Sequence, residues 1–194
     1  MSSLILDLQQ KSLDSGFPVT DLVRMALLCA RKLGLEETRS WAEQELNGYD
    51  DVHPVPKYRV LRGQPAAYDA QRGWERVLTY NLDPGLLEAL STFKIDFPAG
   101  KIEADLRPGE AEFFAIRYQP GAEIKTSKAL NRPGIPAVLI TASQFQGILD
   151  AVRTRILEWS INLEEAGIYG EGMVFSPTEK QAARSLEDTR APAV

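Results

Sequence analysis

Apolar residues recur at helical spacing through the N-terminal part of the chain, and this pattern predicts three helices. The first begins at Leu4 and ends near Ser15. The second lies in "TDLVRMALLCARKLG", with Thr20 as the expected N-cap and Gly34 as the residue that stops it. The third is expected over residues 36–47. Together they predict a helical lobe packed through Leu, Ile and Trp side chains.

After Asp50 the pattern changes to alternation with a period of two, which is typical of strands. The segments "KYRVLRGQ" and "GWERVLTYN" alternate in this way, and we expect them to pair as a hairpin. The segment "AEFFAIRY" predicts a third strand. The continuous apolar run "IPAVLIT" predicts a fourth strand in the centre of the sheet.

Two further segments lie among these strands. Asp83-Pro84 predicts the start of a short helix. Residues 121–133 are polar and bounded by prolines, so they predict a mobile surface loop, in which Lys125 to Leu130 could form a helical turn.

The longest helical pattern runs from about Ser143 to Ala166. Its apolar stripe is widened by Leu157 and Ile161, so a second side of the helix is covered either by the rest of the domain or by another copy of the chain. The predicted fold is α+β, with an N-terminal helical lobe and a long C-terminal helix packed on a small, mostly antiparallel sheet. Residues 1–176 are expected to form a single domain, followed by a polar tail over residues 177–194 that could contain a short helix.

Composition and charge narrow the class of protein. The chain has 194 residues, enough for one substantial core, and its 44% hydrophobic and 25% charged residues are typical of a folded, water-soluble domain. A net charge of −5 does not favour coating of duplex DNA or of an anionic membrane. The N-terminus lacks the pattern of a signal peptide, and no apolar run is long enough to cross a bilayer. The cytoplasm is the expected compartment, without a membrane association.

Few residues suggest chemistry. Gly167, Gly170 and Gly172 follow a helix, whereas phosphate-binding loops precede one, so Gly167 is best interpreted as a helix stop. His53 is the only histidine and Cys29 the only cysteine, so a zinc site of these residue types is not available. No metal and no cofactor are expected, and no catalytic residue is identified.

The arginines of the expected hairpin suggest a binding surface. Arg59, Arg62 and Arg76 alternate there with aromatic residues that include Trp74. Arginine interleaved with aromatic rings suits single-stranded nucleic acid or a nucleotide. The other interpretation is an ordinary half-exposed sheet whose arginines pair with nearby acids.

Several segments together resemble the AbiTii domain family, bacterial proteins named after a component of an abortive phage-infection system. The segment "SQFQGILDAVRTRILEWSINLEEAGIYGEGMVFSPTEK" is similar to the family signature. In the N-terminal half, "LILDLQQKSLDSGFPVTDLVRMALLCARKLGL", "WAEQELNGY" and "YRVLRGQPAAYDAQRGW" follow in the family's order. The resemblance spans roughly Ser3 to Lys180.

The resemblance implies a role in defence against phage, and it transfers no catalytic residues. In many relatives the domain is joined to other segments, whereas here it occupies nearly the whole chain, so we expect the protein to act alone, with a separately encoded protein partner, or as an oligomer. A tight turn in which Glu171 reaches Arg153 or Arg155 would explain the later glycines, and a ligand contact is the alternative.

Three functional hypotheses follow. The first is a non-enzymatic phage-defence module that acts by self-association or by binding a protein partner. The second is a toxin-like enzyme or binder of nucleic acid or nucleotide that uses the arginine and aromatic hairpin. The third is a sensor of a small molecule.

Overall fold

The computed structural model describes residues 3–50, 52–107 and 112–190. The helices are α1 (Leu4–Leu13), α2 (Val19–Leu33), α3 (Glu36–Asn47), α4 (Pro84–Ser91), α5 (Ala99–Leu106), α6 (Pro120–Leu130), α7 (Ala142–Glu165) and α8 (Pro177–Arg190). The strands are β1 (Val60–Arg62), β2 (Gln64–Asp69), β3 (Gly73–Arg76), β4 (Thr92–Lys94), β5 (Phe113–Arg117) and β6 (Ile135–Thr141). The fold is α+β, as the sequence predicts. None of the described helices is both long and apolar enough to cross a bilayer.

The chain divides into two compact units. The helical unit comprises Met1–Pro54, Phe97–Asp105 and Leu149–Val194, and the sheet unit comprises Val55–Asp96 and Leu106–Ile148. Among the residues of the sheet unit that the structure describes, every strand pair is antiparallel. The number of independent domains stays a prediction.

The helical unit is held together by a core that α1, α2, α7 and α8 share. Its buried members include Ile5, Leu33 and Leu163. Cys29 is fully buried in this core, and burial raises the pKa of its thiol to about 12, as expected for an unreactive structural cysteine. The predicted helical spacing of α1, α2 and α3 is confirmed.

The start of α2 differs from its prediction. The helix begins at Val19 with Pro18 at the N-cap, so the prediction of Thr20 as the N-cap was wrong. The carboxylate of Glu103, on α5, instead accepts hydrogen bonds from the backbone N–H groups of Val19 and Thr20 and from the Thr20 hydroxyl. A carboxylate from a distant segment satisfies the free amides at this helix end, so a local capping residue is not needed.

In the four-stranded sheet the order is β3-β2-β6-β5, with the buried apolar run of β6 next to both β2 and β5. The central position predicted for this run and the predicted strand at β5 are therefore confirmed. Phe145, near the start of α7, packs edge-to-face on Phe114 of β5, with ring centroids 5.2 Å apart. The short helix predicted after Asp83 is confirmed as α4, with the Asp83 carboxylate as its cap.

The predicted pairing of "KYRVLRGQ" with "GWERVLTYN" was wrong. β1 pairs with β4 in a separate two-stranded sheet, and β3 pairs with β2. The chain passes from β1 to β2 at Gly63, where a Cβ atom would lie 2.3 Å from Val138 Cγ1, so only glycine allows this approach. The turn between β2 and β3 is stabilised by hydrogen bonds within itself, because the Asp69 carboxylate accepts from the amides of Gln71 and Arg72.

The loop predicted over residues 121–133 was wrong, because most of this segment forms α6; the helical turn considered over Lys125 to Leu130 lies within that helix. Pro120 occupies the first turn of the helix, where a missing N–H is tolerated. Asn131 ends it in a left-handed conformation, with φ of 46°. The proline that favoured a loop therefore marks the start of a helix.

The segment predicted as a polar tail contains α8. Ala183 is 1% exposed and packs into the core of the helical unit, with Ala182 and Leu186 packed beside it. These three positions share one face of the helix, which explains how a mostly polar segment still docks. Residues 191–194 of the predicted tail lie outside the described residues.

Candidate functional site

Gly167 ends the long helix α7. Its φ is 74°, a left-handed conformation that suits glycine. The Gly167 N–H donates to the Glu164 carbonyl at 2.8 Å, and the Ile168 N–H donates to the Leu163 carbonyl at 2.9 Å. This is the hydrogen-bond pattern of a glycine C-cap, so the helix-stop interpretation is confirmed.

The glycine loop, which we define as residues 167–176, then folds against the start of α1. Gly170, Gly172 and Met173 all have positive φ angles, of 64°, 58° and 64°. The carbonyls of Tyr169 and Gly170 accept hydrogen bonds from the Ile5 and Leu4 amides at 3.2 and 3.3 Å. The loop therefore satisfies backbone groups at the N-terminus of α1, which is a structural role.

The carboxylate of Glu179 holds the glycine loop in place. It accepts hydrogen bonds from the amides of Tyr169, Gly170 and Ser176 at 2.9, 3.0 and 2.7 Å. In return the Ser176 hydroxyl accepts from the Glu179 amide at 3.2 Å, which completes a capping box at the start of α8. The loop does bind an anion through its amides, and that anion is a side chain of the protein itself.

Burial acts to raise the pKa of Glu179, but the amides of Gly170, Tyr169 and Ser176 outweigh it and lower that pKa to about 2. We expect Glu179→Gln to lower the free energy of unfolding by about 1.5 kcal/mol at pH 7, a value reduced for partial exposure to solvent. Since the folded pKa lies below the ordinary value of 4.5, this contribution is complete above about pH 4.5 and is lost as the pH falls towards 2.

Chemical denaturation of both proteins between pH 7 and pH 2.5 tests this expectation. The stability gap between the parent and Glu179→Gln should narrow as the solution becomes acidic. Glu171→Gln is the matched control, because Glu171 is an exposed carboxylate on the same loop. A gap that stays constant with pH would show that the Glu179 charge does not hold the loop.

Arg153 closes the C-terminal end of α1. Its guanidinium donates to the carbonyls of Asp14 and Phe17 at 2.7 and 2.6 Å, and it lies 3.4 Å from those of Lys11 and Ser12. The Lys11 and Asp14 carbonyls also accept backbone hydrogen bonds from Asp14 and Phe17, at 3.2 and 3.1 Å. The Arg153 cation adds charged hydrogen bonds to the carbonyls at this end of α1, where the helix dipole is negative. Among the described residues Arg153 makes no ion pair with Glu171.

We expect Arg153→Ala to lower the free energy of unfolding by about 2 kcal/mol, because it removes the charged donor from these carbonyls. Arg155→Ala is the matched control on the same helix, and it should cost under about 1 kcal/mol, the value of one exposed cation–π contact. Thermal melting of both variants measures the difference. Equal melting temperatures would argue that Arg153 does not fix α1.

Arg155 belongs to a cleft in the helical unit, which we call the tryptophan cleft. Its guanidinium carbon lies 4.5 Å from the centroid of the Trp41 ring, a cation–π geometry. The cleft has a volume of about 400 Å³ between α3, α7 and α8. Its lining combines two indole rings with polar and apolar side chains: Leu35, Glu37, Thr38, Trp41, Arg155, Glu158, Trp159, Asn162, Leu163, Ala183, Leu186 and Glu187.

Glu187 fixes α8 as one wall of the tryptophan cleft. Its Oε1 atom accepts hydrogen bonds from the amide and the hydroxyl of Thr38, at 3.1 and 3.3 Å. Leu35 is the N-cap of α3 and offers no side-chain hydrogen bond, so Glu187 supplies the missing cap from α8. The cleft therefore depends on the segment that the sequence assigned to a tail.

The arginines of the expected hairpin lie on different elements of the sheet unit. Arg59 is fully buried, and its guanidinium donates to the Ile95 carbonyl at 3.0 Å. Arg62, on β1, pairs with Glu88 at 3.0 Å. Trp74 and Arg76 lie on β3, where the Trp74 ring packs edge-to-face on Tyr68. Arg62 and Arg76 thus belong to two separate sheets.

Of the predicted site residues, the structure therefore brings only Arg155 into the tryptophan cleft. Glu171 is exposed on the glycine loop, and its backbone forms an isolated bridge with Ser3. Sequence reasoning missed Glu179, Glu187, Trp159 and Asn162. The spacing of Ser176 and Glu179 is that of a capping box and could have identified Glu179. The other three line a cleft between segments that lie far apart in the chain, for which the sequence carries no local signal.

Comparison with known proteins points to one family. The AbiTii family model matches residues 3–187, nearly the whole chain. No curated protein and no solved structure matches the chain significantly. The matched range includes α8 as far as Glu187, so it contains every element that lines the tryptophan cleft. The chain therefore belongs to the AbiTii family of abortive-infection domains, and this membership implies a part in anti-phage defence.

Proposed function

We propose that the chain acts in anti-phage defence as a binding module without chemistry of its own, by engaging a separately encoded protein through the tryptophan cleft. We place this action in the cytoplasm. The module would change the state of the infected cell through its partner, and self-association is the second route by which it could act.

The observation that carries the proposal is the combination of side chains in the cleft. Tryptophan and arginine are the residue types that most often dominate protein–protein binding energy, and Trp41, Trp159 and Arg155 lie here in one concave surface. Trp159 is half-buried and Arg155 exposed, so both present area to a partner. The lining side chains lie on helices packed within one unit, and a preformed surface lowers the entropy lost on binding.

Self-association is supported by a different observation. On α7 the widened stripe leaves Ile161 39% exposed, although the residue belongs to the apolar pattern. An exposed aliphatic residue on a helix is a frequent feature of helix–helix contacts between subunits, but a single one is also common on monomers. Light scattering at micromolar concentration separates the two routes, because a monomer would count against self-association.

Phage plating on cells that carry the chain, with and without its neighbouring genes, tests the proposal. We expect protection to require a neighbour and to be lost in Arg155→Ala, while the purified variant melts within a few degrees of the parent. Arg24→Ala is the matched control, because Arg24 is an exposed arginine of α2 outside the cleft. Full protection by Arg155→Ala would reject the cleft as the binding surface.

The alternative is a toxin-like enzyme or binder that acts on nucleic acid or a nucleotide. It needs Arg59, Arg62 and Arg76 in one exposed cleft, and Arg59 is fully buried. Arg76 and Trp74 on β3 remain available to a strand of nucleic acid. Fluorescence anisotropy with a labelled single-stranded oligonucleotide at low salt decides this, and absence of binding would remove the alternative.

A further inference from the structure

We propose that the tryptophan cleft takes a basic side chain, lysine or arginine, from the protein partner. This inference rests on the proposed function, since it names the chemistry by which the module would recognise its partner. It depends on the charge of the cleft, on the aromatic wall and on the size of the space.

The charge of the cleft favours a cation. Three carboxylates line it, those of Glu37, Glu158 and Glu187, against the single guanidinium of Arg155. The Glu187 carboxylate accepts hydrogen bonds from Thr38. In the described part of the chain, the carboxylates of Glu37 and Glu158 take part in no ion pair. An incoming ammonium or guanidinium group would therefore find two carboxylates without a salt-bridge partner. A phosphate or carboxylate ligand would meet repulsion from the same groups.

The aromatic wall already holds a cation. The Arg155 guanidinium rests on the Trp41 ring, and within the described residues no carboxylate pairs with it. The face of an indole attracts a cation through its quadrupole, so an aromatic wall of this kind suits a positively charged group. Trp159 offers a second, half-buried indole in the same cleft.

The size and the apolar lining suit a long basic side chain. A volume of about 400 Å³ lies near the lower end for binding sites of small ligands, and it is ample for one side chain. Leu186 and Trp159 provide apolar surface for the aliphatic stem, while Glu158 and Glu37 lie in the same lining for the charged head. Lysine and arginine combine these two parts, whereas a small inorganic cation has no stem.

The intrinsic fluorescence of the protein provides the test. Two of the three tryptophans, Trp41 and Trp159, line the cleft, so a Trp74→Phe background leaves only cleft reporters. Into this protein we would titrate acetyl-Gly-Arg-Gly-amide and, separately, the same peptide with citrulline in place of arginine. Citrulline has nearly the shape of arginine without its charge, so any difference between the two peptides reports the charge.

We expect the arginine peptide to give a saturable change at low salt with a millimolar dissociation constant, and the citrulline peptide to bind at least about fivefold more weakly. Glu158→Gln and Glu37→Gln should each weaken the arginine peptide by about threefold, while Glu165→Gln, an exposed glutamate of α7 outside the cleft, should not. Equal binding of both peptides, or no effect of Glu158→Gln, would overturn the proposal. A preference for acetyl-Gly-Glu-Gly-amide would assign the cleft to an anion held by Arg155.

The peptide titration and the phage plating can each fail independently of the other. If Arg155→Ala abolishes protection but the arginine peptide does not bind, the cleft contacts the partner and the basic side chain is the wrong chemistry. If the peptide binds as expected but cleft variants protect fully, the charge preference stands and the proposed function fails.

Discussion

Gly170→Val is expected to lower the free energy of unfolding by about 4 kcal/mol, the largest loss that we expect from a single change in the glycine loop. Two effects add. Valine disfavours the left-handed conformation that Gly170 adopts, with φ of 64°, and its Cβ would lie 2.5 Å from the Phe175 ring. Phe175 is 3% exposed in the core of the helical unit, so its ring has little room to move. Thermal melting and urea denaturation would measure the loss.

Gly172→Val is the matched control. Gly172 has nearly the same conformation, with φ of 58°, but no described atom lies within 4 Å of an added Cβ. This variant should therefore lose only the free energy of the backbone strain, about 1–2 kcal/mol. The difference between the losses of Gly170→Val and Gly172→Val then measures the clash with Phe175. If Gly170→Val melts like the parent but no longer protects cells from phage, the loop is a contact site for a ligand or partner and not only a support for α1.

Ala183→Asp is expected to cost about 4 kcal/mol, because it places a carboxylate without a partner in the core of the helical unit. Ala183 lies on the buried face of α8. If α8 no longer packs on the core, one wall of the tryptophan cleft is lost as well. We therefore expect Ala183→Asp to lose protection against phage together with stability. The measurement is the melting temperature, followed by plating of cells that carry the variant.

Gln181→Asp is the control for this prediction, because Gln181 is an exposed residue of the same helix. It introduces the same charge and should change the free energy of unfolding by no more than about 0.5 kcal/mol. If Ala183→Asp is as stable as Gln181→Asp, α8 does not contribute to the core. The boundary at residue 176 that the sequence suggested would then describe the domain better than the packing of α8 does.

The sequence predicted well those features that a few neighbouring residues determine. Gly34 and Gly167 end their helices in left-handed conformations, as expected from glycine at those positions. Asp83 caps α4, with Pro84 in its first turn. The prediction failed where one residue type, such as proline, is common both in loops and at the ends of helices. The prolines that bound residues 121–133 favoured a loop, although Pro120 starts α6, and proline is also common in the first turn of a helix.

The candidate site was predicted less well than the fold. Arg155 was identified only as a basic residue near the glycine loop, and the arginines expected to converge on one hairpin are divided between two sheets. The alternation of polar and apolar positions identifies a strand but not its partner, since several pairings bury the same residues. The close approach of Gly63 to Val138 is likewise a contact between segments that lie far apart in the sequence, so the sequence does not reveal it.

The sequence by itself determined the α+β class, the ends of several helices and the family, because these depend on periodicity, on backbone preferences and on motifs within short stretches. Only the tertiary structure decided which carboxylates satisfy amides of a distant segment. Glu103 and Glu187 carry no local signal in the sequence, yet each satisfies amides at the start of a helix elsewhere in the chain. Glu179 has the capping-box spacing with Ser176, but its bonds to Tyr169 and Gly170 do not follow from that spacing. Such a bond forms only when packing of the core brings the two segments together, so its partner cannot be inferred from local preference.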